Sequence, residues 1–469
     1  MLQAIFNNLI KFQFFPTQWA EGIIVPLHKS GGVDAPNNYR GITLNSCISK
    51  LFTLLLNTRL TAMCEEKEII SYNQIGFRKG FRTSDHVFTL KTLIDDAFHK
   101  KQKLYACFVD FKKAYDTVWR KGLFYKLLTN GISTKFTELL RSMYSELQLC
   151  VSLSNRLSLS FKSMVGLKQG CNLSPLLFNI FIKDIPRIID NSSCDPPVIS
   201  DLSVSSLLYA DDLVLLSRSK EGLQNAINAL NGFSKDWFLE VNQIKTKCLV
   251  FSKGRHQQIP EFTLGDRNLS FCDEYCYLGI MFSKSGSFKS ASSALTDKAT
   301  NAMFSLIKNL YRYRSINPRI MLDLFDKMVV PIALYGVEVW GVNFVPVYKK
   351  NNYCFDNSLL SKHLTENLQY RFLKVLLGVS RKTSSWAVTT EFGRFPLAVK
   401  AFKLMCKYYL HLSNTSSPIL KAALNHSKDL AELDVNSWFK IMNRILDFGE
   451  INFQNIDNCD IDTKLKEIL

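Results

Sequence analysis

The chain has 469 residues, of which 47% are hydrophobic and 21% charged. That balance excludes a disordered or low-complexity protein, and at about 150 residues per domain it allows two or three domains or one large multi-part enzyme. Its 58 lysines and arginines outnumber 41 aspartates and glutamates, and the net charge of +17 favours a polyanionic partner, nucleic acid first and an anionic membrane surface second.

In chain order, the stretch before Ile10 has no basic region ahead of its apolar residues, so no signal peptide is read. Gly22 to Leu44 reads as a hairpin with a basic, glycine-rich tip, His28-Lys29-Ser30-Gly31-Gly32. From Ser84 to Lys100, Val87, Leu90, Ile94 and Phe98 recur at helical spacing. Tyr105 to Asp110 is an apolar strand ending in an acid, and Lys112 to Thr129 reads as a helix closed by Asn130-Gly131. Ser174-Pro175 opens a helix that runs to Ile185. Asp190 to Ser206 reads as a surface loop. Leu207 to Ser217 reads as two apolar runs joined through Ala210-Asp211-Asp212. A helix over Leu223–Trp237 and a strand over Lys247–Ser252 follow, and beyond about residue 295 the pattern is mainly helical. The apolar run Val329–Val347 is long enough to span a bilayer. It contains Glu338, Pro331, Gly336, Gly341, Asn343 and Pro346 and is read as a buried connection, so no membrane partner is expected. Twelve cysteines are scattered, mostly in apolar runs (Cys107, Cys150, Cys248). Cys272 and Cys276 have no second Cys/His pair at zinc spacing, which points to reduced thiols in an intracellular protein.

The chemistry concentrates in three places. Asp211-Asp212 stands at a hairpin tip, where an ordinary solvated turn is the competing reading. Asp110 closes a separate strand. Acids from two strands converging on one point would suit phosphoryl transfer, in which two Mg²⁺ ions about 3.5–4 Å apart activate a hydroxyl and stabilise the leaving oxygen. The third place is Gly166-Leu167-Lys168-Gln169-Gly170, whose glycines permit close approach of backbone to a ligand just ahead of a helix N-terminus.

Taken together, the segments resemble the reverse transcriptases of non-LTR (LINE-type) retrotransposons. Phe108-Val109-Asp110-Phe111-Lys112-Lys113-Ala114-Tyr115-Asp116 resembles motif A, and Gln169-Gly170 with Ser174-Pro175 resembles motif B. Tyr209-Ala210-Asp211-Asp212 resembles motif C, and Asn242 with Lys245-Thr246-Lys247 resembles motif D. Tyr277-Leu278-Gly279 is similar to the segment leading to the thumb. Asn38-Tyr39-Arg40-Gly41-Ile42 and Gln74-Ile75-Gly76-Phe77-Arg78 are similar to finger motifs. The likeness spans Trp19 to Gly279, with a fainter echo in Arg381 to Pro396.

The resemblance implies an α+β right-hand polymerase. Fingers and an antiparallel palm sheet would occupy residues 1–295, a helical thumb 296–345 and a mostly helical region of unknown role 346–469. It implies an RNA-directed DNA polymerase that extends a primer 3′-hydroxyl with dNTPs on an RNA template. Asp110, Asp211 and Asp212 would be the catalytic acids, holding two Mg²⁺ with the Phe111 carbonyl. Tyr115 would exclude a ribose 2′-hydroxyl, with a core aromatic as the alternative. Arg40 and Lys29 would meet the triphosphate, Gln169 and Gly170 would line the nucleotide pocket, and Lys245 would protonate the leaving pyrophosphate. Solvated loop lysines are the alternative for Lys29 and Lys245. A ribonucleoprotein with the element RNA is an expected partner, in nucleus or cytoplasm. The flanking endonuclease of such elements is not read in this sequence. Two competing readings are a non-catalytic RNA-binding remnant and a group II intron-like maturase.

Overall fold

The computed structural model describes residues 1–29, 31–254, 260–311, 317–344 and 363–448. Helices α1 (Leu2–Phe12) and α2 (Thr17–Ala20) precede a hairpin of β1 (Gly22–His28) and β2 (Tyr39–Leu44), then α3 (Cys47–Glu66) and α4 (Thr83–His99). Next come β3 (Leu104–Val109), α5 (Arg120–Thr129), α6 (Thr134–Ser145), β4 (Gln148–Leu153), β5 (Arg156–Leu157) and β6 (Phe161–Lys162). Helices α7 (Ser174–Ile182) and α8 (Ile185–Asp190) lead to β7 (Val198–Ile199), β8 (Leu202–Ser203), β9 (Ser206–Tyr209) and β10 (Asp212–Ser217). After α9 (Lys220–Asp236) follow β11 (Lys247–Phe251), β12 (Phe262–Leu264), β13 (Arg267–Phe271), β14 (Glu274–Tyr277) and β15 (Ile280–Ser283). The remainder is helical: α10 (Lys289–Tyr311), α11 (Pro318–Leu324), α12 (Val330–Ala333), α13 (Val337–Trp340), α14 (Leu364–Leu377), α15 (Ser385–Glu391), α16 (Leu397–Ser413), α17 (Pro418–Glu432) and α18 (Trp438–Phe448).

The central sheet has the order β12-β13-β11-β3-β10-β9. Its inner strands β9, β10, β3 and β11 pair antiparallel, but β13 joins β11 in parallel, so the sheet is mixed and not purely antiparallel as expected. Its strands read as nearly continuous apolar runs because both faces are covered. Leu104, Ala106 and Phe108 of β3 enter one core, with α4, α10 and the C-terminal helices; Cys107 and Val109 enter the other, with α3, α5, α7 and α9. A second sheet, β2-β1-β4-β5 with β6 on β4, holds the basic hairpin.

Other expectations are corrected. Lys112 to Trp119 is a run of turns, and the helix begins at Arg120. Lys113 takes a left-handed conformation (φ 46°), its carbonyl closes a turn with the Asp116 N–H at 2.8 Å, and the Tyr115 carbonyl accepts from the Leu167 N–H at 2.7 Å, so the segment turns and bonds outward instead of continuing as a helix. The helix from Ser174 ends at Ile182, and a further short helix occupies Ile185–Asp190. Part of the expected loop Asp190–Ser206 forms the small β7–β8 hairpin. The described part of the apolar run is buried through Val330, Ala333, Val337, Val339 and Trp340; Val345, Pro346 and Val347 lie outside the described residues. Among the described residues no helix is long and apolar enough to cross a membrane.

The C-terminal helices dock on α4. The fully buried Asp85 carboxylate accepts from Tyr408 Oη (3.1 Å) and the Arg82 N–H (2.8 Å) and lies 3.2 Å from His411 Nε2. His426 Nε2 meets Asp96 at 2.8 Å, and the Trp438 ring packs edge-on against Phe88 at 5.2 Å. At the start of α16 the Leu397 and Ala398 N–H groups, which have no partner inside the helix, donate to the buried Glu366 carboxylate at 3.0 and 2.6 Å.

Burial raises Glu366 from 4.5 to about 7. A carboxyl with a raised folded pKa binds more protons folded than unfolded, so its contribution to stability declines as pH rises from 4.5 towards 7, by at most about 3 kcal/mol. Thermal melts of wild type and Glu366→Gln should therefore shift relative to one another in favour of glutamine between pH 5 and 8. A constant difference across that range would contradict the assignment.

Candidate active site

Two strand ends build the site. The register pairs Leu213 with Val109, so Asp212, one residue earlier on β10, lies across from the position just beyond β3, which is Asp110. Tyr209 pairs with Asp212, leaving Ala210-Asp211 as a two-residue hairpin turn. Such turns need positive φ, and Ala210 adopts φ 54° without being glycine, a conformation that costs an L-residue about 1 kcal/mol or more. The buried Gln74 amide holds it there. Gln74 Oε1 accepts from the Ala210 N–H at 2.9 Å and Nε2 donates to the Ala210 carbonyl at 3.1 Å. Gly76 makes room, since a Cβ there would stand 2.3 Å from the Ala210 nitrogen. His86, also buried, reaches the Leu208 and Asn73 carbonyls from Nε2 at 3.0 and 2.9 Å. Burial lowers His86 to about 4, and two facing acceptors require the neutral ring to carry its proton on Nε2.

Asp110 is fixed from the other side. Its N–H donates to Thr246 Oγ1 (3.3 Å) and its carbonyl accepts from the Asn242 N–H (2.7 Å). The bonds linking this segment to Val241 run from Asp110 and Lys112, which leaves the Phe111 carbonyl out of that pair.

The three carboxylates act on one another. Asp212 keeps solvent contact, yet the surrounding protein, and then the charges of Asp211 and Asp110, raise it from 3.8 to about 6. Asp211 is also raised, by burial first and by Asp110; Arg40 and Lys29 pull it the other way. The basic hairpin thus brings Arg40 and Lys29 to the acids. Lys245 is exposed and is not among the charges acting on Asp211 or Asp212. All donors here are oxygens, which suits a hard divalent cation. Among the described residues, no three His, Cys, Asp or Glu side chains close into a ready-made ligand set.

The neighbouring wall carries Tyr115, Gln169 and Gly170. The Tyr115 ring stacks on Phe178 at 4.7 Å, and among the described residues its buried hydroxyl has no hydrogen-bond partner. Burial, then Asp211, raises that phenol well above the usual value. The Gln169 carbonyl accepts from the Thr43 N–H at 2.7 Å, and Gly170 (φ 113°) passes so near the Thr43 carbonyl that a Cβ would come within 2.5 Å. Gln169 Nε2 donates to Asp116 Oδ1 at 3.0 Å. Sequence reading missed the roles of Gln74, His86, Thr246 and Asp116. Gln74, Asp116 and Thr246 stood inside the quoted segments without a role, and His86 had no signal at all.

The family profile described as reverse transcriptase (RNA-dependent DNA polymerase) matches residues 27–282. The chain belongs to the reverse transcriptase family. Its relatives place it with the polymerases of non-LTR retrotransposons. It is 32% identical over 351 residues to the probable RNA-directed DNA polymerase from transposon BS of Drosophila melanogaster, covering 73% of this chain and 38% of that protein. It is 24% identical over 348 residues to the RNA-directed DNA polymerase from mobile element jockey of the same organism, covering 73% and 37%. The chain thus spans under two-fifths of the length of these relatives. Among solved structures, telomerase from Candida tropicalis in complex with a telomeric RNA fragment is remotely similar, with 12% identity, a TM-score of 0.43 and coverage of 100% of this chain and 68% of that one.

The raised Asp212 carries a stability signature. A folded pKa of about 6 against 3.8 means stability is lost as pH rises through that window. Without divalent cations, Asp212→Asn should raise Tm above pH 6, and the gain should vanish below about pH 4. An equal Tm for both proteins at neutral pH would mean that neither burial nor the neighbouring acids raise Asp212.

Proposed function

We propose that the chain is an RNA-directed DNA polymerase that extends a primer 3′-hydroxyl with dNTPs on an RNA template. The observation that carries this is the approach of Asp110 to Asp211 and Asp212, where burial first and then the neighbouring acids raise Asp212 to about 6. In this reading residues 1–295 are fingers and palm of a right hand, 296–345 the thumb and 346–469 a helical region of separate role. A ribonucleoprotein with the element RNA is the expected assembly.

Asp110, Asp211, Asp212 and the Phe111 carbonyl would hold two Mg²⁺, which when bound would acidify the primer hydroxyl and offset charge on the phosphates. The protein's own part is positioning and charge. Arg40 and Lys29 draw the triphosphate over the acids. Gln169, oriented by Asp116, and the bare backbone of Gly170 shape the nucleotide pocket. Tyr115, seated on Phe178, blocks the space a 2′-hydroxyl would need. Lys245 would give its proton to pyrophosphate once the nucleotide is bound.

The test is extension of a DNA primer on an RNA template with Mg²⁺ and dNTPs. Wild type should extend, and Asp211→Ala should lose at least about 1000-fold in rate, the scale expected on removing a principal charge stabiliser. Binding without extension by wild type would leave a non-catalytic remnant. Tyr115→Ala should bring the kcat/KM values for ribo- and deoxyribonucleotides together by about 10-fold or more, at least 1.4 kcal/mol of discrimination. Unchanged discrimination would return Tyr115 to a packing role.

A further inference from the structure

A second basic site lies away from the acids. A cavity of ≈ 440 Å³ opens between the segment just ahead of α4 and the end of α16. Lys79 and Arg82 line one wall, and Lys407, His411, Asn414 and Ser416 the other. Among the described residues, no acidic residue lines it. The Lys79, Arg82, Asn414 and Ser416 side chains are exposed and Lys407 is partly so. The nearest carboxylate, Asp85, is fully buried beneath, where it is engaged by Tyr408, His411 and the Arg82 N–H. That buried contact also ties the two walls together, so the backbone segments that carry the cations are joined before any ligand arrives.

One wall of the cavity is the continuation of the chain that packs against the candidate active site. Lys79 and Arg82 lie two and five residues beyond Phe77. The Phe77 ring is 62% exposed and sits 6.5 Å from the ring of Tyr209, at the hairpin that carries Asp211. An exposed aromatic followed by a groove of cations with amide and hydroxyl donors suits a base-stacking platform and a sugar–phosphate track. We infer that this groove binds the phosphodiester backbone of the nucleic acid that leaves the active site, and that the C-terminal helices contribute half of it. The inference rests on the polymerase reading for which strand lies there. A membrane or phosphopeptide ligand is disfavoured because the segment that supplies Lys79 and Arg82 packs, a few residues earlier, against the hairpin that carries Asp211.

The test uses the full chain and measures affinity by anisotropy in EDTA. One series of RNA–DNA primer–templates lengthens the single-stranded template arm; the other lengthens the duplex arm. Wild-type affinity should step up when one arm becomes long enough to enter the groove, and the arm that gives the step identifies the strand. The triple neutralisation Lys79→Gln, Arg82→Gln, Lys407→Gln should remove the step, weaken binding of the longest substrate about 10-fold or more, and flatten its log–log salt dependence by about 2 to 3, at ~0.7–0.9 per phosphate contact. Ser416→Glu, which places a negative charge in the groove, should reproduce the loss of the step with Lys79, Arg82 and Lys407 intact. If both variants follow wild type along both series, or lose the same factor on the shortest substrate as on the longest, the groove is overturned. Primer extension on the shortest substrate separates the two claims. Extension without a step removes the groove and keeps the polymerase; a step without extension removes the polymerase and keeps the groove.

Discussion

Three carboxylates drawn to one point repel one another, and most of this architecture can be understood as what holds them there. Unrestrained, Asp110 and the Asp211-Asp212 turn would separate. Pairing of β3 with β10 sets the approach. Thr246 and Asn242 fix the backbone at Asp110, and the Gln74 amide keeps Ala210 in a conformation it would not choose alone. Each of these restraints is buried or half-buried. Water therefore competes with them weakly, and the same exclusion of water strengthens the repulsion they resist. The basic hairpin of β1 and β2 offsets only part of it.

The positive charge of the chain is divided between outside and inside. Lys168 is buried and donates to the Ala20 carbonyl at 2.8 Å; burial lowers it to about 8. Lys126, also lowered to about 8 by burial, pairs with Asp184 and lies over the Trp237 ring. Arg120 donates to the carbonyls of Ser163, Val165 and Gly166, and Arg78 grips Glu65 with two nitrogens. These cations brace segments on which the site stands. The formal charge of +17 therefore overstates what a nucleic acid would meet.

What could be read from the sequence was local. An apolar run closed by Asp110, two apolar runs around Asp211-Asp212 and the Ser174-Pro175 helix start are all set by neighbours in the chain, and each is present. The turns at Lys112–Trp119 were misread because their bonds go to Glu240, Leu167 and Gly166, which have no local signature. The Gln74–Ala210 clamp joins residues 136 apart, and the Tyr408–Asp85 bond residues 323 apart. A pairing at such separation leaves no periodicity to detect. The parallel attachment of β13 was hidden for a related reason, since Arg267–Phe271 alternates polar and apolar residues and says nothing of its partner's direction.

Helix α4 has a consequence for how the molecule can be divided. One of its sides carries His86 towards the strand that leads into the Ala210-Asp211 turn; another receives Tyr408, His411, His426 and Trp438 from the C-terminal helices. The family match ends at residue 282, but the carboxylate of Asp85 and the ring of Phe88 meet Tyr408, His411 and Trp438, which come after it. A boundary drawn by homology would thus cut through a continuous interior and strip both groups of those partners. The evolutionary module and the buried core have different bounds here, and the core extends further along the chain.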